Sequence, residues 1–215
     1  MKYFILPNLI NNKWSLFRRK FIWRVNCSQY KIMIAEFMLQ RTKAEQAEPV
    51  YKKFLLQYPD IVSLSKARLT SVEKYTSSLG LHKRAPNFIN AAKYIVKNFK
   101  GKYPKTRKEL LTIPGVGDYV AGAIMAVCFN NADYVIDSNI ARFIDRFYGL
   151  KLSGEIRRKK IVIEKAKGIF KVKDQRNFLF ALLDFTALVC KPIVPLCNEC
   201  PLRGKCKYSP SSSPT

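Results

Sequence analysis

The chain is poor in histidine: His82 is the single one among 215 residues. That excludes Ser-His-Asp catalysis, a Cys-His nucleophile with a choice of base, and a histidine-rich zinc site. Any chemistry here rests on carboxylates, tyrosine, lysine or a metal. Acidic residues are also scarce. Fifteen Asp and Glu stand against 39 Lys and Arg, a formal net charge of +24 with a pI near 10.0. Such a balance points to a polyanionic partner, nucleic acid first and an acidic membrane surface second. Self-repulsion on this scale also argues against an inert basic surface. No run of about 18 apolar residues exists, so no membrane-spanning helix is expected. The apolar start, Met1 to Ile10, is interrupted by Pro7 and Asn8 and lacks the charged, apolar, small-residue order of a signal peptide. Internal repeats and convincing alternating strands are absent too. Only Ser209 to Thr215 has the composition of a disordered tail.

What remains reads as helix. Hydrophobic residues make up 48% of the chain, enough for a core. Residues 31–57 combine apolar residues with helix-forming charges. Phe88, Ala91, Ala92, Ile95 and Phe99 form a helical stripe over 87–99. Further helices are expected over 118–129, 139–148 and 176–189, and Thr70–Glu73 and Thr106–Glu109 both fit a capping box. The predicted class is all-α.

Six cysteines in a chain of this kind favour metal ligation over disulfides. Four of them, Cys190, Cys197, Cys200 and Cys206, fall within seventeen residues as Cys-x6-Cys-x2-Cys-x5-Cys. Such a set suits one soft metal centre, zinc or iron–sulfur. The basic neighbours Lys191, Arg203, Lys205 and Lys207 weigh toward iron–sulfur. Cys27 and Cys128 read as plain buried thiols.

Three other constellations carry chemistry. In Leu110-Leu111-Thr112-Ile113-Pro114-Gly115-Val116-Gly117-Asp118-Tyr119-Val120-Ala121, a short capped helix runs through a Pro-Gly-Val-Gly turn into a second helix. The two glycines permit torsions closed to other residues. They also leave backbone N–H groups free to face an anion at a helix start. In Ile136-Asp137-Ser138-Asn139-Ile140-Ala141-Arg142, an aspartate precedes a helix, which by itself suggests an N-cap. In Ile34-Ala35-Glu36-Phe37-Met38-Leu39-Gln40-Arg41-Thr42, one carboxylate sits in a helix that is apolar on nearly all sides. It is either a buried acid with a raised pKa or a surface residue on a strip with Gln40 and Lys43.

Together these strings resemble the helix–hairpin–helix DNA glycosylases of the endonuclease III and MutY type, over roughly residues 15–208. Phe21-Ile22-Trp23-Arg24, Leu79-Gly80-Leu81-His82-Lys83-Arg84-Ala85 and Leu183-Asp184-Phe185-Thr186-Ala187 are similar to further family segments. The resemblance implies two helical lobes flanking a DNA-binding cleft. Residues 25–132 would form one lobe, with the hairpin at 106–129. Residues 1–24 plus 133–208 would form the other, with the cluster loop at 190–206 and a disordered tail at 209–215. It implies a 4Fe–4S cluster on the four cysteines, acting as a structural clip. It also implies catalytic roles for Asp137, Tyr119 and Glu36. DNA contacts would come from Gln40, Arg41, His82, Lys83, Arg84, Gly115, Val116 and Gly117.

Members that cleave the strand carry a lysine where this chain has Tyr119, and a phenol cannot form their imine. The implied activity is therefore monofunctional base release. Archaeal-type thymine–DNA mismatch glycosylases are the nearest pattern. A MutY-like adenine glycosylase acting on A·G or A·8-oxoguanine is the alternative, and a non-catalytic DNA-binding protein is the second. The implied partner is double-stranded DNA with a mismatch or damaged base. No membrane is involved, and a monomer in the cytoplasm, associated with the nucleoid, is expected.

Overall fold

The computed structural model describes residues 2–40 and 42–208; Arg41 and the Ser209–Thr215 tail lie outside the described residues. Eleven α-helices are described: α1 Lys2–Lys13, α2 Gln29–Leu39, α3 Ala44–Gln57, α4 Ile61–Ser65, α5 Leu69–Thr76, α6 Ala85–Phe99, α7 Arg107–Leu110, α8 Asp118–Phe129, α9 Ser138–Tyr148, α10 Lys160–Ile169 and α11 Gln175–Leu188. Short 3₁₀ turns join several of them, and no strand occurs among the described residues. The chain forms two compact units, Lys20–Phe129 and Met1–Arg19 with Asn130–Thr215. No helix among the described residues is long and apolar enough to cross a membrane.

In the central unit, α2 is buried on most of its surface through Tyr30, Ile32, Met33, Ile34, Ala35, Phe37 and Met38. It packs on α3 and α8. The helical region expected over 31–57 is two helices. Gln40 leaves α2 with an extended backbone, φ −65° and ψ 105°, before α3 begins at Ala44. Phe54 and Phe88 meet at 5.4 Å, and Phe37 meets Phe88 edge-on at 5.3 Å. These aromatic rings, 0–3% exposed, form the centre of the unit. The capping reading holds at Thr106, whose hydroxyl oxygen accepts from the Glu109 backbone N–H. It fails at Thr70: α5 starts two residues earlier than that cap requires, after Arg68, which makes no side-chain cap. A reciprocal box forms instead at Asp60 and Ser63.

In the other unit, α1 packs on α10 and α11, and α9 packs on both as well. The apolar start of the chain is thus a helix, with Pro7 inside it. The aromatic core holds Phe143, Phe147, Phe170, Phe178 and Phe185, each 5% exposed or less. Asp184 on α11 is fully buried yet satisfied. Its carboxylate accepts from Trp14 Nε1 at 2.9 Å and from Arg19 at both the backbone N–H (3.0 Å) and Nε (2.7 Å). A buried carboxylate is tolerable only when paired and hydrogen-bonded in this way. It draws the segment after α1 onto α11. Asp184→Ala should lower unfolding free energy by about 3 kcal/mol, because Arg19 and Trp14 lose their acceptor. Denaturant unfolding checks this, and a loss under about 0.5 kcal/mol would refute it.

Candidate active site

The hairpin turn hangs from two buried side chains, Ile113 and Val116, whose backbones are linked by a 3.0 Å N–H···O bond. Gly115 has φ +82°, and a Cβ there would lie 3.0 Å from Asn87 Cβ and 3.2 Å from Phe37 Cζ. The turn therefore presses on α6 at Asn87 and on α2 at Phe37. The two glycines are not equivalent, contrary to the sequence expectation. Gly117 has no positive φ, and a Cβ there would meet nothing within 4 Å. The fold does not require glycine at 117. Open space beside backbone N–H groups at the start of α8 is what an approaching anion requires. Arg107, bonded through Nη1 to the Asp118 carbonyl at 3.0 Å, braces that start. Tyr119, half-buried, stands in the first turn of α8.

Glu36 is half-buried within α2, near its C-terminal end. Gln40 caps that end, and its carbonyl accepts from Arg84 Nη1 at 2.7 Å. Arg84 thus positions Gln40, a use that the sequence reading did not give it. His82 and Lys83 beside it are exposed in a 3₁₀ turn. Arg41, expected next to Gln40 at the DNA, lies outside the described residues.

Asp137 is the N-cap of α9: Oδ1 accepts from the Ile140 N–H at 2.6 Å, and Asn139 Nδ2 approaches Oδ2 at 3.4 Å. Burial pushes its carboxyl above the ordinary aspartate range, against the lowering effect of those N–H groups and of Arg142. Arg142 Nη1 donates to Asn139 Oδ1 at 2.7 Å, and its Nη2 donates to the Thr186 and Cys190 carbonyls at 2.8 Å each. One turn on, Arg146 donates to the Lys191 and Pro192 carbonyls, both at 2.6 Å, and lies 3.8 Å from Cys190 Sγ. The motif that contains Asp137 and the segment that contains the cysteines are therefore one bonded assembly. Sequence reading gave Asn139, Arg142 and Arg146 no task of their own. Their i, i+3 and i+7 spacing on one helix face was the available signal.

The four C-terminal cysteines are all half-buried. Burial pushes the Cys200 thiol up to about 11, and Cys190, Cys197 and Cys206 all lie within its electrostatic reach. The Leu202 N–H donates to Cys200 Sγ at 3.4 Å. Among the described residues, no three Cys, His, Asp or Glu side chains converge as a ready shell for one metal ion. Cys27 and Cys128 are half-buried rather than buried, and Cys27 donates to the Trp23 carbonyl at 3.4 Å.

The described residues thus define an all-helical protein built on a helix–hairpin–helix turn. Residues 34–170 match the HhH-GPD superfamily of base excision DNA repair proteins, and the chain belongs to that family. It is 31% identical over 196 residues to the thymine/uracil-DNA glycosylase of Methanothermobacter thermautotrophicus, covering 91% of this chain and 89% of that one. It is 34% identical over 199 residues to the adenine DNA glycosylase of Buchnera aphidicola subsp. Baizongia pistaciae, of whose length it spans only 56%. Among solved structures, a thermostable thymine-DNA glycosylase superposes with a TM-score of 0.88 at 30% identity, covering 96% of each chain.

Two predictions follow from this geometry. Gly115→Ala should cost about 1–3 kcal/mol of stability from its torsion and its contacts. Gly117→Ala should stay within about 0.5 kcal/mol of the parent, so that any loss appears in duplex binding alone; denaturant melts of both variants separate the two glycines. The second concerns Asp137. Its folded pKa lies above its unfolded value, so the fold disfavours the ionised form. That destabilisation is absent below the unfolded pKa and fully present above the folded one. Asparagine keeps a capping oxygen. Asp137→Asn should therefore melt higher than wild type at neutral pH, with the gap closing as pH falls toward about 4. A gap that widens on acidification would contradict this.

Proposed function

We propose that this chain is a monofunctional DNA glycosylase of base excision repair, hydrolysing the N-glycosidic bond of thymine or uracil mispaired with guanine in duplex DNA, as a monomer. The observation that carries the reading is Tyr119. It stands in the first turn of α8, directly after the hairpin, where strand-cleaving members of the resembled family place an amine. The kinship to the thymine/uracil enzyme over 89% of its length supports it, as does the buried carboxyl of Asp137, raised above the ordinary aspartate range.

The target base must leave the stack before its bond can be reached. In this reading the Gly117 end of the hairpin holds a backbone phosphate. Gln40, at the break between α2 and α3, fills the space left in the duplex. Tyr119 packs against the extruded nucleotide. Glu36 gives a proton or hydrogen bond to the departing base or orients water. Asp137 stabilises the positive sugar in the transition state and favours attack of water at C1′. A mispair costs less to open than a matched pair, which supplies part of the selectivity.

Cys190, Cys197, Cys200 and Cys206 fit a 4Fe–4S cluster in donor chemistry. They are four thiols without a histidine, three of them within electrostatic reach of Cys200, with the Leu202 N–H directed at the Cys200 sulfur. When bound, the cluster would clip the C-terminal turns together and present Lys191, Arg203, Lys205 and Lys207 to DNA. Adenine release is the second reading, favoured by the 34% identity to the Buchnera enzyme. It keeps the same residues in the same roles.

The test is incubation with end-labelled duplexes carrying G·T, G·U, A·G and A·8-oxoguanine, with and without alkali. Alkali-dependent cutting at T or U is expected. Asp137→Asn should slow it by at least about 100-fold with binding intact, and Tyr119→Lys should gain a borohydride-trapped adduct. Cutting at A alone would move the chain to the adenine reading. Binding without cutting on any duplex would leave a non-catalytic DNA-binding protein.

A further inference from the structure

The stretch from Lys151 to Ile163 holds five cations, Lys151, Arg157, Arg158, Lys159 and Lys160, and one acid, Glu155. Arg157, Arg158 and Lys160 are exposed. These cations do nothing for the helix they introduce. The positive end of a helix favours carboxylates, yet the first turn of α10 has no acid and its N-cap, Lys159, makes no side-chain bond. The one acid is engaged: Glu155 accepts from Arg157 Nε at 2.8 Å and from Nη2 at 2.5 Å, a two-pronged ion pair. With the side chains 46% and 49% exposed, the pair adds little to stability. What it does is hold a planar fork in a set direction.

That direction matters because of the neighbour. The 3₁₀ turn Ile156–Arg158, which contains Arg157, packs on α9 and α10. Asp137 caps α9, and its charge acts on Arg157 across the intervening space. An exposed guanidinium therefore stands near the carboxylate assigned to the glycosidic bond, with a carboxylate of its own as a replaceable partner. A nucleotide presented to Asp137 brings its flanking phosphates with it. A phosphate accepts the same two parallel N–H bonds that Glu155 accepts now.

We propose that Arg157 exchanges Glu155 for a backbone phosphate of the nucleotide presented to Asp137, so that Glu155 is the counterion that keeps the fork in place until DNA arrives. The inference rests on the base-excision reading and adds to it a phosphate contact outside the hairpin and the cysteine loop. Glu155 also limits affinity for undamaged DNA, because every duplex must displace it.

The test measures binding of wild type, Arg157→Ala, Arg157→Lys and Glu155→Gln to a duplex carrying a tetrahydrofuran abasic analogue opposite guanine. Salt is varied between about 50 and 200 mM, and melting temperatures are taken alongside. Arg157→Ala should bind several-fold more weakly, with a salt slope shallower by about 1 and an unchanged melting temperature. Arg157→Lys should restore the slope but not the full affinity, since an ammonium lacks the fork. Glu155→Gln should bind more tightly. Affinity and slope equal to wild type in Arg157→Ala would overturn the proposal. So would unchanged binding with a loss confined to the rate of base release, which would put the guanidinium's action on Asp137. A wild type that binds this duplex but releases no base from any mispair would count against the glycosylase reading and leave the phosphate contact standing.

Discussion

Two guanidinium groups on one helix hold the C-terminal unit together. The end of α11 leaves carbonyls that no helical N–H can reach, and the chain that follows is irregular. Arg142 takes the Thr186 and Cys190 carbonyls, and Arg146 takes those of Lys191 and Pro192. Four acceptors that would otherwise need water are satisfied from α9. The same α9 begins at Asp137, and Arg142 also reaches back to Asn139, which sits beside that carboxylate. The orientation of the acid and the path of the cysteine segment are consequences of one set of bonds. Disturbing either end strains the other, without any need for a moving part between them.

The carboxylates of this unit show two ways of burying charge. Asp184 is fully enclosed and saturated by Trp14 and Arg19, so its ionisation organises packing. Asp137 keeps part of its surface exposed, but its carboxyl is buried and pushed upward by that burial, and its acceptor capacity is only partly used by the helix cap. A carboxylate that the fold has not fully compensated is the one with something left to give to a positive transition state. The contrast separates a structural acid from a candidate catalytic one on physical grounds.

Much of this was legible in the sequence because local signals and packing agreed. The helix over 118–129 was read to the residue, and those over 139–148 and 176–189 to within one, since apolar spacing and boundary residues coincided. The all-helical class and the hairpin were equally plain. The break between α2 and α3 was not: residues 40–43 include no glycine or proline, and the helix ends where Arg84, 44 residues distant, takes the Gln40 carbonyl. The start of α1 was obscured by Pro7, whose place is set by burial against the rest of its unit. The Thr70 box lost to a helix that began two residues earlier. At the α2–α3 break the deciding partner was far away in sequence. The same holds for the site: motif residues could be named, but the bonds from Arg142 to Thr186 and Cys190 appear only once the chain is folded.

Three features of the chain run against the needs of the fold itself. Gly117 occupies a position where a side chain would meet nothing and the backbone asks for no special torsion. Asp137 keeps a carboxylate where burial disfavours its charge. Arg157 to Lys160 gather four cations before a helix whose positive end repels them. A sequence shaped for stability alone would replace all three, and natural sequences depart from local consistency mainly where function requires it. A single kind of partner removes all three conflicts. On the proposed reading, a backbone phosphate would use the open N–H groups beside Gly117, the nucleotide's sugar in its cationic transition state would use Asp137, and the flanking phosphates would neutralise the cations at the start of α10. An acidic membrane surface would answer the cations but not the buried carboxylate. The net charge of +24 admits either partner, and the roles proposed for these three features fit nucleic acid and not a membrane surface.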